Sequence, residues 1–253
     1  MRIWYQSFTH EDESAAYLER LRAHLRSVAD PDTEIVVHTL YPSATNVHPI
    51  TEMRLGVQVV KNAVRAGEEG YDAFAVGHFQ DSGLMESKSV ADIPVLGLGE
   101  TTMLHACTLA RKTGLVTIHP VFIPWHEEQI AAYGLNGRMT GVRAMTTSPL
   151  DYVAAISDRS VYESIRDQFV AQAQPFVEEG VDALIPAGGL PMLLLASEHG
   201  FNVGGAPVLN GINILVKQIE AAVKLKAIDG TAVSRRSNFA RPSDGAMRDF
   251  LGQ

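Results

Sequence analysis

His78 follows the short apolar run 73–76 and Gly77, and two residues later the chain turns polar at Gln80, Asp81 and Ser82. An imidazole titrates near neutrality, so at the end of a buried strand it can exchange a proton with a carbon or oxygen acid without a large pKa adjustment. Asp81 could orient that ring and stabilise its charged form, and Ser82 could hydrogen-bond a substrate. The competing uses are an Asx turn at Asp81 and a helix N-cap at Ser82. Gly188 and Gly189 leave a second apolar run; lacking side chains, they let the backbone approach a ligand closely and offer amides to an oxyanion. Glu100 and Thr101 follow Gly97-Leu98-Gly99, where a helix start would present unpaired amide donors to a carboxylate or polarised carbonyl. Asn210 holds the matching place in the second half of the chain. His119 ends the run 114–118 and is a candidate second acid or base.

His78, Asp81, Glu100 and His119 could together form a cluster of imidazoles and carboxylates, but their spacing matches no zinc signature, and neither a metal nor a cofactor is expected. Cys107 is the single cysteine, which excludes an internal disulfide, cysteine-based zinc clusters and any mechanism needing two thiols in one chain. Its helical setting suits packing. His10, His48 and His126 are expected at the surface or in loops.

The elements that position these groups alternate in type. Strands are expected at 2–6, 34–40, 74–76, 94–98, 114–118, 141–145, 182–186 and 206–209. Helices are expected at 14–28, 53–66, 104–111, 125–133, 161–179 and 212–226, from apolar residues at helical spacing. Such alternation predicts parallel α/β units. Residues 68–78 and 178–188 align at a shift of 110 with five identities, and Pro94-Val95-Leu96 aligns with Pro207-Val208-Leu209 at a shift of 113. Each copy reads as helix end, tight turn, buried strand and glycine-containing exit, the mark of an internal duplication. The expected architecture is therefore α/β, with two pseudo-symmetric lobes, each a parallel sheet flanked by helices, and the site in the cleft between them. Lobe one takes 1–113 and 212–225, lobe two 114–211, and 226–253 forms a polar C-terminal extension or interface arm. In open parallel sheets ligands sit beyond the carboxyl ends of strands, so His78 and Gly188 should face each other there.

Composition narrows the partners. With 46% hydrophobic residues the 253-residue chain can bury a sizeable core, and 29 acidic against 21 basic groups leave no basic stripe for nucleic acid. The first residues are too short an apolar run for a secretory signal, and every longer apolar stretch is interrupted before the length a membrane helix needs, so a cytoplasmic protein with neither membrane nor nucleic-acid partners is expected.

The stretch Tyr71-Asp72-Ala73-Phe74-Ala75-Val76-Gly77-His78-Phe79-Gln80-Asp81-Ser82-Gly83-Leu84, then 94–100, then 180–189, resembles the aspartate/glutamate/hydantoin racemase superfamily, nearest its hydantoin racemase branch. The resemblance implies two α/β lobes with one cysteine from each at the central cleft, one thiolate removing an α proton while the opposite thiol returns one. Here His78 stands at the first cysteine position, and Gly188 or Gly189 at the second, so two-thiol racemisation is unavailable. The family's opening turn carries substrate contacts; Tyr5-Gln6-Ser7-Phe8-Thr9 replaces it, making Gln6 and Ser7 candidates for that role. The implied enzyme transfers a proton next to a carbonyl or carboxylate of a small metabolite with His78 as acid/base, in an isomerase, decarboxylase or lyase reaction, without a cofactor and as a homo-oligomer. Alternatives are a hydrolase of an amide or cyclic ureide in which His78 activates water, with or without a metal, and a non-catalytic small-molecule binder.

Overall fold

The computed structural model describes residues 1–43 and 47–252. Short strands with apolar side chains on both faces need helices over each side, and they are buried on both faces when they pair in parallel. The chain follows that logic twice. The first half runs β1 (Arg2–Gln6), α1 (Glu11–Val28), β2 (Glu34–His38), α2 (Pro49–Glu68), β3 (Ala73–Val76), α3 (Leu84–Val90), β4 (Val95–Gly97) and α4 (Leu98–Leu109). The second runs β5 (Thr113–Thr117), α5 (Ile123–Ala132), β6 (Met139–Ala144), α6 (Pro149–Ala154), α7 (Arg159–Glu178), β7 (Ala183–Ala187), α8 (Gly189–Leu195), β8 (Asn202–Val203), β9 (Ala206–Pro207) and α9 (Gly211–Asp229), with α10 (Asp244–Leu251) in the tail. The strands form two parallel sheets in the orders β2-β1-β3-β4 and β6-β5-β7. The α/β architecture expected from the sequence, with helix-flanked parallel sheets, is the one found.

The repeated segments build equivalent units. Helices α2 and α7 each end in a turn at a glycine with positive φ, Gly70 at 74° and Gly180 at 82°, and each turn feeds a fully buried strand, β3 or β7. In the first sheet Phe74 then pairs with Val95, and in the second Leu184 pairs with Val208. The expected strand at 206–209 is reduced to that one parallel bridge, with β9 turned to pair antiparallel with β8. Pro186 explains the difference. The Leu184 carbonyl accepts from the Leu209 amide, so Pro186, two residues on, faces the same side of β7 and has no N–H to continue the ladder. Its counterpart Val76 is unrestricted and pairs with Gly97.

Helix α9 packs on α1 and α4 and thus returns the chain to the layer over the first sheet. In the polar tail, Arg235 donates to the carbonyls of Lys88 and Ser89 at 2.9 and 3.3 Å and to that of Ala91, all at the end of α3. Among the described residues no helix is long and apolar enough to cross a membrane.

Asp81, expected to orient His78, does other work. It has a positive φ of 55° and is buried, and its carboxylate accepts from the Gly99 and Glu100 amides (3.0 and 2.6 Å), from Gln129 Nε2 (3.1 Å) and from the Tyr133 hydroxyl (2.7 Å). It thus caps α4, which starts at Leu98, just ahead of the helix start expected at Glu100 and well before the helical stretch expected from 104, and ties the first sheet's exit loop to α5 of the second half. Burial pushes its carboxyl up to about 7, opposed by the hydrogen bonds from Tyr133, Glu100 and Gly99. Asp81→Ala, which strands these buried donors, is expected to lower stability by about 3 kcal/mol. Thermal or denaturant unfolding measures this, and a change under about 0.5 kcal/mol, the range of ordinary surface substitutions, would contradict the assignment.

Candidate active site

Strands of both sheets end at one cleft, which encloses about 420 Å³ and is lined from both halves of the chain. His78, the second residue past β3, is fixed there by two contacts. Its ring stacks on Phe8, centroids 4.2 Å apart and planes inclined by 11°. Its Nε2 lies 3.2 Å from Oε2 of Glu52 in the first turn of α2, an oxygen that also accepts from Ser82 Oγ at 2.5 Å. Burial opposes ionisation of Glu52, but the charge of His78 and hydrogen bonds from His78 and Ser82 prevail and hold the carboxyl at about 2. An ionised carboxylate only accepts, so Nε2 carries a hydrogen and a neutral His78 keeps its lone pair on Nδ1.

The other strand exit bears no functional side chain. Gly188, equivalent to His78 in the repeat, has φ of 157°, and a Cβ there would lie 3.0 and 3.2 Å from Cδ and Cγ of Pro191. The backbone at this turn is built for glycine. The wall from the second half is mainly apolar, with Ile118, Phe122, Leu150, Leu190 and Pro191 beside Thr117 and Ser148, and among the described residues the acidic side chains lining the cleft are Glu13 and Glu52. Among the described residues no Lys or Arg lines it.

Of the residues singled out in the sequence, His78, Ser7, Gly188 and Gly189 line this cleft. Ser7 Oγ pairs with Thr9 Oγ1 at 3.0 Å. The others are engaged elsewhere. Gln6 is buried, its amide donating to the carbonyls of Ser7 and His38 (3.0 and 3.1 Å) and its oxygen accepting from Trp4 Nε1 and Asn62 Nδ2 (3.1 and 2.8 Å), which leaves nothing for a substrate. Ser82 holds Glu52 instead of a ligand. Glu100 is paired with Lys88 at 2.5 Å, Thr101 is buried within α4, and the amides of this helix start are taken by Asp81, so no oxyanion site remains there. His119 is exposed and caps a single 3-10 turn, its Nδ1 accepting from the Val121 amide at 3.3 Å. Asn210 caps α9 through the Ile212 and Asn213 amides (3.1 and 3.3 Å) and donates to the Met192 carbonyl at 3.0 Å. His126, expected near the surface, is fully buried between Thr117 Oγ1 and Gln129 Oε1, each at 3.2 Å, and burial draws its pKa down to about 4. Among the described residues no three His, Cys, Asp or Glu side chains stand together as a metal site.

The matching family model is that of the Asp/Glu/hydantoin racemases, and it spans residues 14–219. The chain belongs to this family. It is 26% identical over 230 residues to the hydantoin racemase of Pseudomonas sp. (strain NS671), covering 89% of this chain and 88% of that protein. It is 27% identical over 181 residues to the hydantoin racemase of Rhizobium meliloti, covering 71% and 70%. The structure of allantoin racemase from Klebsiella pneumoniae has the same fold, with a TM-score of 0.79 at 24% identity over 96% of this chain and 94% of that one.

Glu52, the partner of His78, went unnoticed in the sequence, although the first turn of a helix following a parallel strand is where cleft residues gather. The folded-state pKa of Glu52 lies below its ordinary 4.5, so its pairing stabilises the protein above that pH and is lost as pH falls towards 2. The melting temperature of the wild type should therefore drop more steeply between pH 5 and 3 than that of Glu52→Gln. Parallel curves would show that the pair contributes nothing.

Proposed function

We propose that this family member transfers a proton at a carbon next to a carbonyl group of an uncharged small molecule, from one face only, with His78 as the acid/base. In the forward step Nδ1 of His78 takes the proton: the C–H bond breaks, an N–H bond forms, and the electron pair passes to the carbonyl oxygen as an enolate. Glu52 stabilises the imidazolium so formed and keeps the ring in the reactive tautomer. Return of the proton from the same nitrogen completes the cycle. The observation that carries this reading is the asymmetry of the cleft, an imidazole buttressed by a carboxylate at one strand exit and a glycine at the equivalent exit.

The choice of an uncharged substrate rests on the lining. Two carboxylates and, among the described residues, no Lys or Arg disfavour a carboxylate ligand, so of the two functional groups expected from the sequence the carbonyl is favoured. The names of the relatives, hydantoin and allantoin racemase, point to cyclic ureides, which are uncharged and carry a C–H beside a ring carbonyl. The apolar wall would receive a hydrophobic ring substituent.

The test is deuterium incorporation into 5-benzylhydantoin in heavy water, followed by NMR. Exchange well above the buffer rate is expected for the wild type, falling about 10²- to 10⁴-fold in His78→Gln. Undiminished exchange in that variant would remove His78 from the reaction, and ring-opened product would mark a hydrolase instead.

A further inference from the structure

Tyr17 lies on α1, is only 7% exposed, and lines the cleft. Its hydroxyl makes no hydrogen bond among the described residues and is not one of the fully enclosed unpaired atoms, so it is reached from the cleft. Its position relates to the bare wall. A Cβ added to Gly189 would meet Tyr17 Oη at 3.5 Å and the Gly77 carbonyl oxygen at 3.6 Å, ordinary contact distances. The hydroxyl thus stands beside the place that a side chain on residue 189 would enter, near the Gly77 backbone that leads into His78.

We infer that the Tyr17 hydroxyl is the hydrogen-bond donor to the ligand's carbonyl oxygen, the atom that becomes the enolate oxygen. This rests on the reaction proposed above. Burial raises the pKa of Tyr17, so the phenol keeps its proton and serves as a donor rather than a base. No proton leaves Tyr17 in the cycle: the α proton shuttles between carbon and His78, while the phenolic O–H shortens its bond to oxygen as negative charge collects there. A donor placed where charge develops acts more strongly on the enolate than on the neutral carbonyl.

The test compares Tyr17→Phe with the wild type. The substitution removes one oxygen that bonds nothing in the protein, so the melting temperature should not fall. Calorimetric titration with 5-benzylhydantoin should show about tenfold weaker binding, and kcat for deuterium exchange should fall about 100-fold, more than the affinity does. Wild-type exchange matched by Tyr17→Phe in both affinity and rate would overturn this inference and leave the proton-transfer reading standing. Binding without exchange in the wild type would sink that reading, and the affinity ratio alone would then decide: a tenfold loss keeps Tyr17 as donor, equal affinities remove it. Failure of the wild type to bind the probe overturns both.

Discussion

The hydrogen bond between Glu52 and Nε2 of His78 determines what the cleft is able to do. An imidazole at the end of a strand has two nitrogens and two ring faces, and without a partner it would present any of them. The carboxylate takes one nitrogen, Phe8 takes one face, and Ser82 holds the carboxylate in place. A single lone pair is left, in a fixed direction, with a carboxylate behind the ring. Three separate segments supply these partners: the loop after β1, the start of α2 and the loop after β3. Only parallel strands ending on the same side bring them together.

The second constraint is the asymmetry between the repeats. The two halves share a strand order and a helix–turn–strand unit, yet their exits carry different chemistry. Gly188 is held to glycine by Pro191, in the first turn of α8, and Pro186 shortens the sheet beside it. The first half supplies the imidazole and carboxylates of the cleft, and the second half a mainly apolar wall. Membership of a racemase family sits beside a site that presents one acid/base side chain at the paired strand exits, and this difference is local to a few residues on an otherwise shared scaffold.

Much of the fold was legible because parallel strands are apolar throughout and their helices repeat at 3.6 residues; the match of 68–78 to 178–188 carried the topology of β3 and β7. The short helices α6 and α8 have no counterpart in the sequence pattern, since a turn or two offers no periodicity, while α3 is signalled only by a capping residue at Ser82, two positions before its start. The start of α4 was placed late because Gly97-Leu98-Gly99 reads as a loop until Asp81 is seen capping it from 18 residues away in the chain. For the site, strand-end position identified His78 and the two glycines, whereas Glu52 and Tyr17 sit on helices where a sequence shows an ordinary charged first turn and an ordinary buried stripe. Gln6, Glu100, Thr101, His119 and Asn210 had suitable chemistry, but local partners use their polar atoms. Proximity of a polar residue to a strand end says nothing of whether the fold leaves that group free.

The central claim, that acid/base chemistry reaches the substrate from one face, is tested most directly by following resolved enantiomers of 5-benzylhydantoin separately in heavy water. The account predicts that one enantiomer gains deuterium with retention of configuration while the other stays protiated at the buffer rate. Deuterium entering both enantiomers at comparable rates, accompanied by inversion, would contradict it.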